Sequence, residues 1–166
     1  MSTVLERDGL EGIWNLSAYA GELEYDADGN ITNELVESIT KKNMIVTVGK
    51  NLTLDRLFAL AAAVALTSVG VGTDSTAAAV GQTQLNPSVA GTVLIQTADA
   101  GTARAAQTVT MTSTFGTAVA NFSWNECGLF NGNTNGTSVM FNRIVIGPFA
   151  KTSAVSIVLT ITITQS

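Results

Sequence analysis

The sequence predicts a mainly β protein, an antiparallel β-sandwich of jelly-roll or immunoglobulin-like type with one α-helix and an N-terminal arm and hairpin. Three observations support this fold class. Segments in which apolar and polar residues alternate recur along the chain, turn residues separate them at regular intervals, and only one segment has helical spacing. A chain of 166 residues is long enough for one domain with a proper core. We divide it into an acidic arm and hairpin, residues 1–40, and a sandwich body with one helix, residues 41–166.

The last third of the chain contains three successive strands. Residues 119–130 alternate small or polar groups with apolar ones and end at Asn131-Gly132, a dipeptide typical of tight turns. Residues 139–146 end at Gly147-Pro148, and residues 155–164 form the last strand. One face of that strand carries mainly Ser and Thr, and the other face is apolar, with Val155, Ile157, Leu159, Ile161 and Ile163. We expect the apolar face to lie in the core and the other face to meet water or a partner.

The first 40 residues predict an arm followed by a hairpin. Residues 1–10 have no periodicity and are expected to be extended. Residues 13–19 and 23–25 alternate like a strand, residues 26–30 are typical of a turn, and a second strand follows over residues 31–39. An isolated hairpin is marginally stable, so this one must pack on the body or on a neighbouring subunit.

The single helix is predicted near residues 52–66, with Asn51 as its N-terminal cap. Its apolar residues follow the three-and-four spacing of a buried stripe, which consists of Leu54, Leu57, Phe58, Ala61, Val64 and Ala65. We expect this helix to cover one end or one face of the sheets. Residues 73–86 predict a long surface loop, and residues 89–97 and 106–115 predict two further strands.

The composition indicates a protein that works within an assembly. Only 13% of the residues are charged, against about 25% in an ordinary soluble domain, and Thr occurs 23 times. Residues 1–40 contain nine acidic groups and one basic group, whereas residues 41–166 contain four acidic and seven basic groups, which gives the stated net charge of −5. The arm and the body therefore differ in the sign of their charge. No basic stripe with interleaved aromatic residues exists, so we expect no nucleic-acid binding.

The acidic N-terminal part supplies the candidate binding residues. One interpretation is a solvated tail that improves solubility. The other is that this part docks on a basic groove of another subunit or of another protein in the assembly, and rising salt should then weaken assembly. The candidate partner-binding residues are Glu6, Asp8, Glu11, Trp14, Glu22, Glu24 and Asp28.

The inventory of residue types argues against an enzyme. The chain has no His, which excludes Ser-His-Asp and Cys-His arrangements and the usual zinc sites. Cys127 is the only thiol, and its place in an apolar strand favours a small core residue over a nucleophile. Of the body carboxylates, Asp55 is expected in the first turn of the helix and Asp74 and Asp99 in turns, which leaves Glu126 without a convergent partner. We therefore predict no catalytic residues and no cofactor.

Two further motifs have alternative interpretations. Residues 26–37 place oxygen-bearing side chains at the ligand positions of a calcium-binding loop, but Ile31 occupies the position that needs Gly, so a hairpin turn is favoured. Trp14 and Trp124 are candidates for sugar stacking or interface anchors, but Trp in an alternating strand is more often packed in a core or between subunits. We predict no metal site.

The order of motifs resembles a known family. "FSWNECGLFNG", then "VMFNRIVIGPFAKTS", then an alternating Thr/Ile strand resembles small structural proteins of tailed bacteriophages. The earlier segments "GNITNELVESI", "NMIVTVGKNLTLDRLF" and "VGVGTDSTAAAVGQTQL" resemble the first part of the same proteins. The resemblance covers roughly residues 20–166. Members of this family are capsid decoration (cement) proteins or modules of tail fibres and collars.

The resemblance implies a non-enzymatic virion protein. A decoration protein would bind the major capsid protein on the outer capsid surface after synthesis in the host cytoplasm, and we expect a homo-oligomer, a trimer or another small ring. The alternative is a tail fibre, collar or baseplate module that displays residues 73–86 and 131–138. We expect no membrane association, because the longest apolar run, residues 57–66, is far shorter than the ~20 residues of a membrane span.

Overall fold

The computed structural model describes residues 9–60, 64–86 and 92–165 of the chain. Within these ranges lie ten strands and one helix. Their bounds are β1 Leu10–Ala20, β2 Leu35–Lys42, β3 Met44–Ile45, α1 Thr47–Leu57, β4 Ser68–Gly72, β5 Val93–Thr97, β6 Ala103–Ala105, β7 Thr108–Phe115, β8 Ser123–Phe130, β9 Met140–Ala150 and β10 Val155–Gln165.

The strands form two five-stranded antiparallel sheets. The first sheet has the order β2-β1-β10-β7-β6, and the second has the order β3-β9-β8-β4-β5. The longest pairing joins β1 to β10, from Leu10 opposite Gln165 to Ala20 opposite Val155. The two sheets pack face to face through one apolar core, which confirms the predicted antiparallel sandwich.

The core follows the alternation of the strands. On β10, Ile157, Leu159 and Ile161 are buried, whereas Thr160 and Thr162 on the opposite face are half-buried. These apolar side chains pack against residues of the second sheet, which include Val69, Val71, Cys127, Leu129, Phe141 and Ile144. The prediction that one face of the last strand is core is therefore confirmed.

The N-terminal strands belong to the first sheet. β1 lies between β2 and β10, and its residues Trp14, Leu16 and Ala18 are buried in the core shared with β10. β1 and β2 form the two sides of a hairpin that is connected through residues 21–34. The hairpin therefore packs on the sandwich through β10.

The helix differs from its prediction. It spans Thr47–Leu57 rather than residues 52–66, it begins after Val46 rather than Asn51, and Asp55 lies in its last turn. It ends because Ala59 adopts a left-handed backbone conformation with φ 51°. Only Gly49 and Leu52 of the helix are buried, so the predicted buried stripe is wrong for Leu54, Leu57, Phe58 and Val64, which are all exposed. Ala61 lies outside the described residues, and no helix in the described part is long and apolar enough to cross a membrane.

The outer face of the second sheet is covered by its own chain. Gly70 and Gly128 are opposite each other on β4 and β8, and a Cβ atom on Gly70 would lie 2.9 Å from side-chain atoms of Leu85 and Phe130. The missing side chains create a recess that Leu85 fills, together with Phe130, Met140 and Val46. The segment after β4 is thereby held against the sheet.

Candidate functional site

An acidic loop connects β1 to β2. Residues 21–34 contain five carboxylates and no Lys or Arg. Asn33 holds the two ends of this loop together, because its amide donates to the carbonyl oxygens of Ala20 (2.8 Å) and Glu22 (2.9 Å) and accepts from the backbone N–H of Glu24 (2.6 Å). The carboxylates are therefore presented on an ordered projection rather than on an extended tail.

Asp26 organises the tip of the acidic loop. One of its carboxylate oxygens accepts from the backbone N–H groups of Asp28 (2.9 Å) and Asn30 (2.8 Å), and the other accepts from the Asn30 side chain at 3.0 Å. The Asn30 side chain, followed by these backbone N–H groups, holds the pKa of Asp26 below its ordinary value. The carboxylate is used by a turn, as predicted, and the described residues contain no group of three or more potential metal-binding side chains.

Replacing Asn30 with Ala is expected to raise the pKa of Asp26 towards its ordinary value, because the largest cause of the lowering is removed. Since the folded pKa is lowered, the turn is stabilised above the ordinary pKa and loses this stabilisation as the pH falls through the folded value. An NMR titration of the carboxyl carbons measures the pKa of Asp26 in the wild-type protein and in the variant. Thr32→Ala is the control, and an Asp26 pKa that responds equally to both substitutions would contradict the assignment.

A buried lysine lies beneath the acidic loop. The Lys151 ammonium donates to the carbonyl oxygens of Gly116 and Thr152, each at 3.0 Å, and to the Asn121 side chain at 2.9 Å. Burial lowers the pKa of Lys151, and the nearby Glu22 carboxylate opposes this effect. Glu22 also accepts a hydrogen bond from the Thr117 hydroxyl. Glu22 therefore ties the acidic loop to the segment between β7 and β8.

The other candidate residues do not join this loop. Glu11 lies near the opposite end of β1, about 30 Å along the strand from Ala20, after which the acidic loop begins, and pairs with Lys42 at the surface. Trp14 is only 2% exposed and belongs to the core, where a partner cannot reach it. Glu6 and Asp8 lie outside the described residues. The structure brings together Glu22, Glu24 and Asp28 as one surface.

A buried ionic cluster lies on the outer side of the second sheet. Arg143 of β9 is fully buried and donates to Glu126 of β8 at 2.6 Å, and it lies 3.5 Å from Asp74, which follows β4. It also donates to the Thr76 carbonyl oxygen at 2.8 Å and to the Gln82 side chain at 3.0 Å. One guanidinium thus joins two strands to residues 73–86.

Asp74 and Glu126 both contact Arg143. The expectation that no two carboxylates of the body converge is therefore wrong. Burial raises the pKa of Glu126, and the hydrogen bond from Arg143 opposes that effect. For Asp74, burial is again the largest effect, but the Thr76 hydrogen bonds and the Arg143 charge outweigh it and lower the pKa. Arg143 and Glu126 have no exposed surface, so neither side chain is accessible to solvent.

Two loops that were predicted as display segments meet beside this cluster. Asn135, within residues 131–138, accepts from the backbone N–H of Leu85 and donates to its carbonyl oxygen, each at 3.0 Å. The backbone N–H of Asn86 donates to Glu126 at 2.7 Å. Residues 73–86 and 131–138 therefore form one platform at the outer side of the second sheet, which we call the loop platform.

Cys127 is a core residue, as predicted. It is fully buried among the apolar side chains of the main core. Burial, and to a smaller extent the neighbouring Glu126 carboxylate, raise the pKa of this thiol far above its ordinary value. The thiol therefore stays protonated at neutral pH, and the reactive thiolate does not form.

Two of these features, the turn in the acidic loop and the burial of Cys127, could be predicted from the sequence. The turn of residues 26–30 follows from local turn chemistry, but the ionic cluster joins residues that are distant along the chain. Comparison of this chain with protein-family models, curated proteins and solved structures gives no match to any of the three.

Proposed function

We propose that this chain is a non-enzymatic structural protein of a bacteriophage virion, a capsid decoration protein that binds and stabilises the capsid lattice. The acidic loop is the observation that carries this proposal. It holds five carboxylates without a basic residue on an ordered projection, whereas residues 41–166 have a small net positive charge. Such a projection is suited to bind a basic surface of the major capsid protein.

The arrangement of the sandwich supports the same role. The hairpin that carries the acidic loop is anchored along the full length of β10, and the loop itself is tied down through Glu22 and Asn33. A rigid projection loses little conformational entropy when it binds. The protein would therefore reinforce a capsid by adding buried contact area across neighbouring capsid subunits.

Neutralising two exposed carboxylates of the acidic loop tests this function. Glu24→Gln with Asp28→Asn is expected to weaken binding to undecorated capsids by roughly two- to thirtyfold at low salt, because each exposed ion pair contributes about 0.2–1 kcal/mol. The loss should shrink as the salt concentration rises. Cosedimentation of the purified protein with capsids measures the affinity.

Glu11→Gln is the control for this experiment, because it removes a carboxylate from the other end of β1. It should change the affinity far less than the double substitution in the acidic loop. Capsid binding that is independent of salt and of Glu24 and Asp28 would contradict docking through this loop.

A tail fibre, collar or baseplate module is the second candidate function. The observation that favours it is the loop platform, because Asn135 joins the two loops into one continuous surface. Quantitative mass spectrometry of purified virions separates the two functions. A copy number close to that of the major capsid protein indicates the capsid lattice, whereas a few copies per particle indicate the tail and make the loop platform the receptor-binding candidate.

A further inference from the structure

An apolar patch is exposed around the end of α1. It consists of Leu54 and Leu57 on the helix, of Phe58 at its C-terminal cap, and of Leu60 and Val64 after it, with exposed fractions between 52% for Leu54 and Val64 and 73% for Leu57. Leu54, Leu57 and Phe58 lie on one helical face because they are spaced by three and four residues. We call these five residues the α1 patch.

The α1 patch remains exposed because the helix packs on the sandwich at its other end. A Cβ atom on Gly49 would clash with the Phe141 carbonyl oxygen, so the helix approaches β9 closely at this glycine. Leu52 is buried beside it, but the next turn carries its apolar side chains away from the core. Within the described residues, the sandwich does not cover them.

The α1 patch is as large as the largest apolar patches on monomeric proteins, which are often functional. From the fractional exposures, its five side chains present roughly 500 Å² to solvent, which is near the upper end of the 300–600 Å² found for the largest patch on a monomer. A standard interface buries about 800 Å² on each partner. The patch thus provides more than half of the area that one side of a stable dimer needs.

A groove lies directly beside these projecting side chains. It has a volume of about 290 Å³ and is lined by Leu52, Val64, Leu66 and Phe141 together with Thr53 and Arg56. A second groove of about 190 Å³ shares Leu66 and Phe141 with the first and lies between the two sheets. Projecting apolar side chains and an apolar groove therefore occupy one surface of the same chain.

We propose that the α1 patch binds a second copy of this chain, with Leu57 and Phe58 of each copy entering the groove of the other. A two-fold interface requires a surface that is complementary to itself, and this one carries both the projections and the groove. The adjacent Asp55 and Arg56 have opposite signs, so the surface beside the α1 patch carries little net charge. The acidic loops would repel each other, so contact through the nearly neutral α1 patch is favoured.

This inference does not depend on the proposed capsid function. The residues of the acidic loop take no part in the α1 patch, so self-association and capsid binding are measured separately. Failure of one proposal would leave the other unchanged.

Sedimentation equilibrium of the purified full chain tests the proposal. The wild-type protein should associate, and Leu57→Glu with Phe58→Glu should be monomeric with an unchanged circular dichroism spectrum, because both residues are exposed in the single chain. Leu35→Glu with Val36→Glu is the matched control, since these β2 residues are exposed to similar extents, 52% and 57%. The control protein should associate like the wild type.

A milder variant keeps the test decisive if the double substitution impairs folding. Leu57→Ser alone should raise the dissociation constant at least about tenfold, because burial of a Leu side chain is worth about 1.5–3 kcal/mol. A monomeric wild-type chain would overturn the proposal, even if the α1 patch then proved to bind a capsid protein. Equal dissociation of the α1-patch and β2 variants would also overturn it.

Discussion

Replacing Arg143 with Met is expected to lower the free energy of unfolding by about 3–5 kcal/mol, the usual cost of removing one partner from a buried ion pair. In the native protein the Arg143 guanidinium lies 2.6 Å from Glu126 and 3.5 Å from Asp74. The substitution leaves both carboxylates buried without this positive partner. It also removes the donors to the Thr76 carbonyl oxygen and the Gln82 side chain. Urea denaturation followed by Trp fluorescence measures the loss.

A second substitution distinguishes the uncompensated charge from lost packing. Arg143→Met with Glu126→Gln should recover more than half of the lost stability, because a neutral Gln side chain costs less to bury and its oxygen can still accept from the backbone N–H of Asn86. Equal stability of the single and double variants would show that the charge of Glu126 is unimportant. A loss below about 1 kcal/mol for Arg143→Met would contradict a structural role for the cluster.

The single substitution Arg143→Met should also release the loop platform before the sandwich unfolds. Residues 73–86 are held by Arg143, by Glu126 and by the hydrogen bonds between Asn135 and the Leu85 backbone. The sheets, in contrast, retain their own backbone hydrogen bonds. Hydrogen exchange should therefore accelerate at Leu85 and Asn86 and remain slow in β1 and β10. This difference would show that the ionic cluster acts on the outer loop rather than on the main core.

Local patterns predicted several strands because each one encodes its own burial, but the predicted ends are wrong for two: β9 continues through Gly147 and Pro148 to Ala150, and β2 spans Leu35–Lys42 rather than residues 31–39. The alternation in β10 places Ile157, Leu159 and Ile161 in the core without reference to any other part of the chain. The turn at Asp26 is likewise contained within five residues. Such elements depend on short-range chemistry, which a single sequence displays directly.

The helix shows where this reasoning fails. The spacing of Leu54, Leu57 and Phe58 identifies an apolar face, but spacing alone cannot tell whether that face covers its own core or is exposed. Its packing depends on the close approach of Gly49 to the Phe141 backbone, which is a tertiary contact. A left-handed Ala59 then ends the helix, although Ala strongly favours helices.

The ionic cluster could not be predicted for a related reason. Asp74, Glu126 and Arg143 become neighbours only through the strand order β4, β8 and β9. An irregularity in pairing between Trp124 and Glu126 also breaks the simple alternation of β8. It allows Trp124 to join the main core while Glu126 binds Arg143 on the outer side.

Trp124→Ala is expected to lower the free energy of unfolding by about 3–5 kcal/mol, because a buried aromatic side chain leaves a large cavity. Trp124 has no exposed surface, its ring meets Phe115 edge-on with centroids 4.8 Å apart, and its indole N–H donates to the Ala120 carbonyl oxygen at 2.9 Å. The substitution therefore removes one contact between the two sheets and one of the two hydrogen bonds to the Ala120 carbonyl oxygen, which still accepts from the backbone N–H of Phe122 at 2.8 Å. Thermal and urea denaturation followed by circular dichroism measure the effect.

Phe122→Ala is the matched control, because Phe122 lies beside the same ring with centroids 6.5 Å apart but is only partly buried. It should cost roughly 1–2 kcal/mol, since less apolar area leaves the core. Trp124→Phe should fall between the two, because it retains an aromatic ring and loses the hydrogen bond to Ala120. If Trp124→Ala cost no more than Phe122→Ala, other core residues rather than Trp124 would hold the two sheets together.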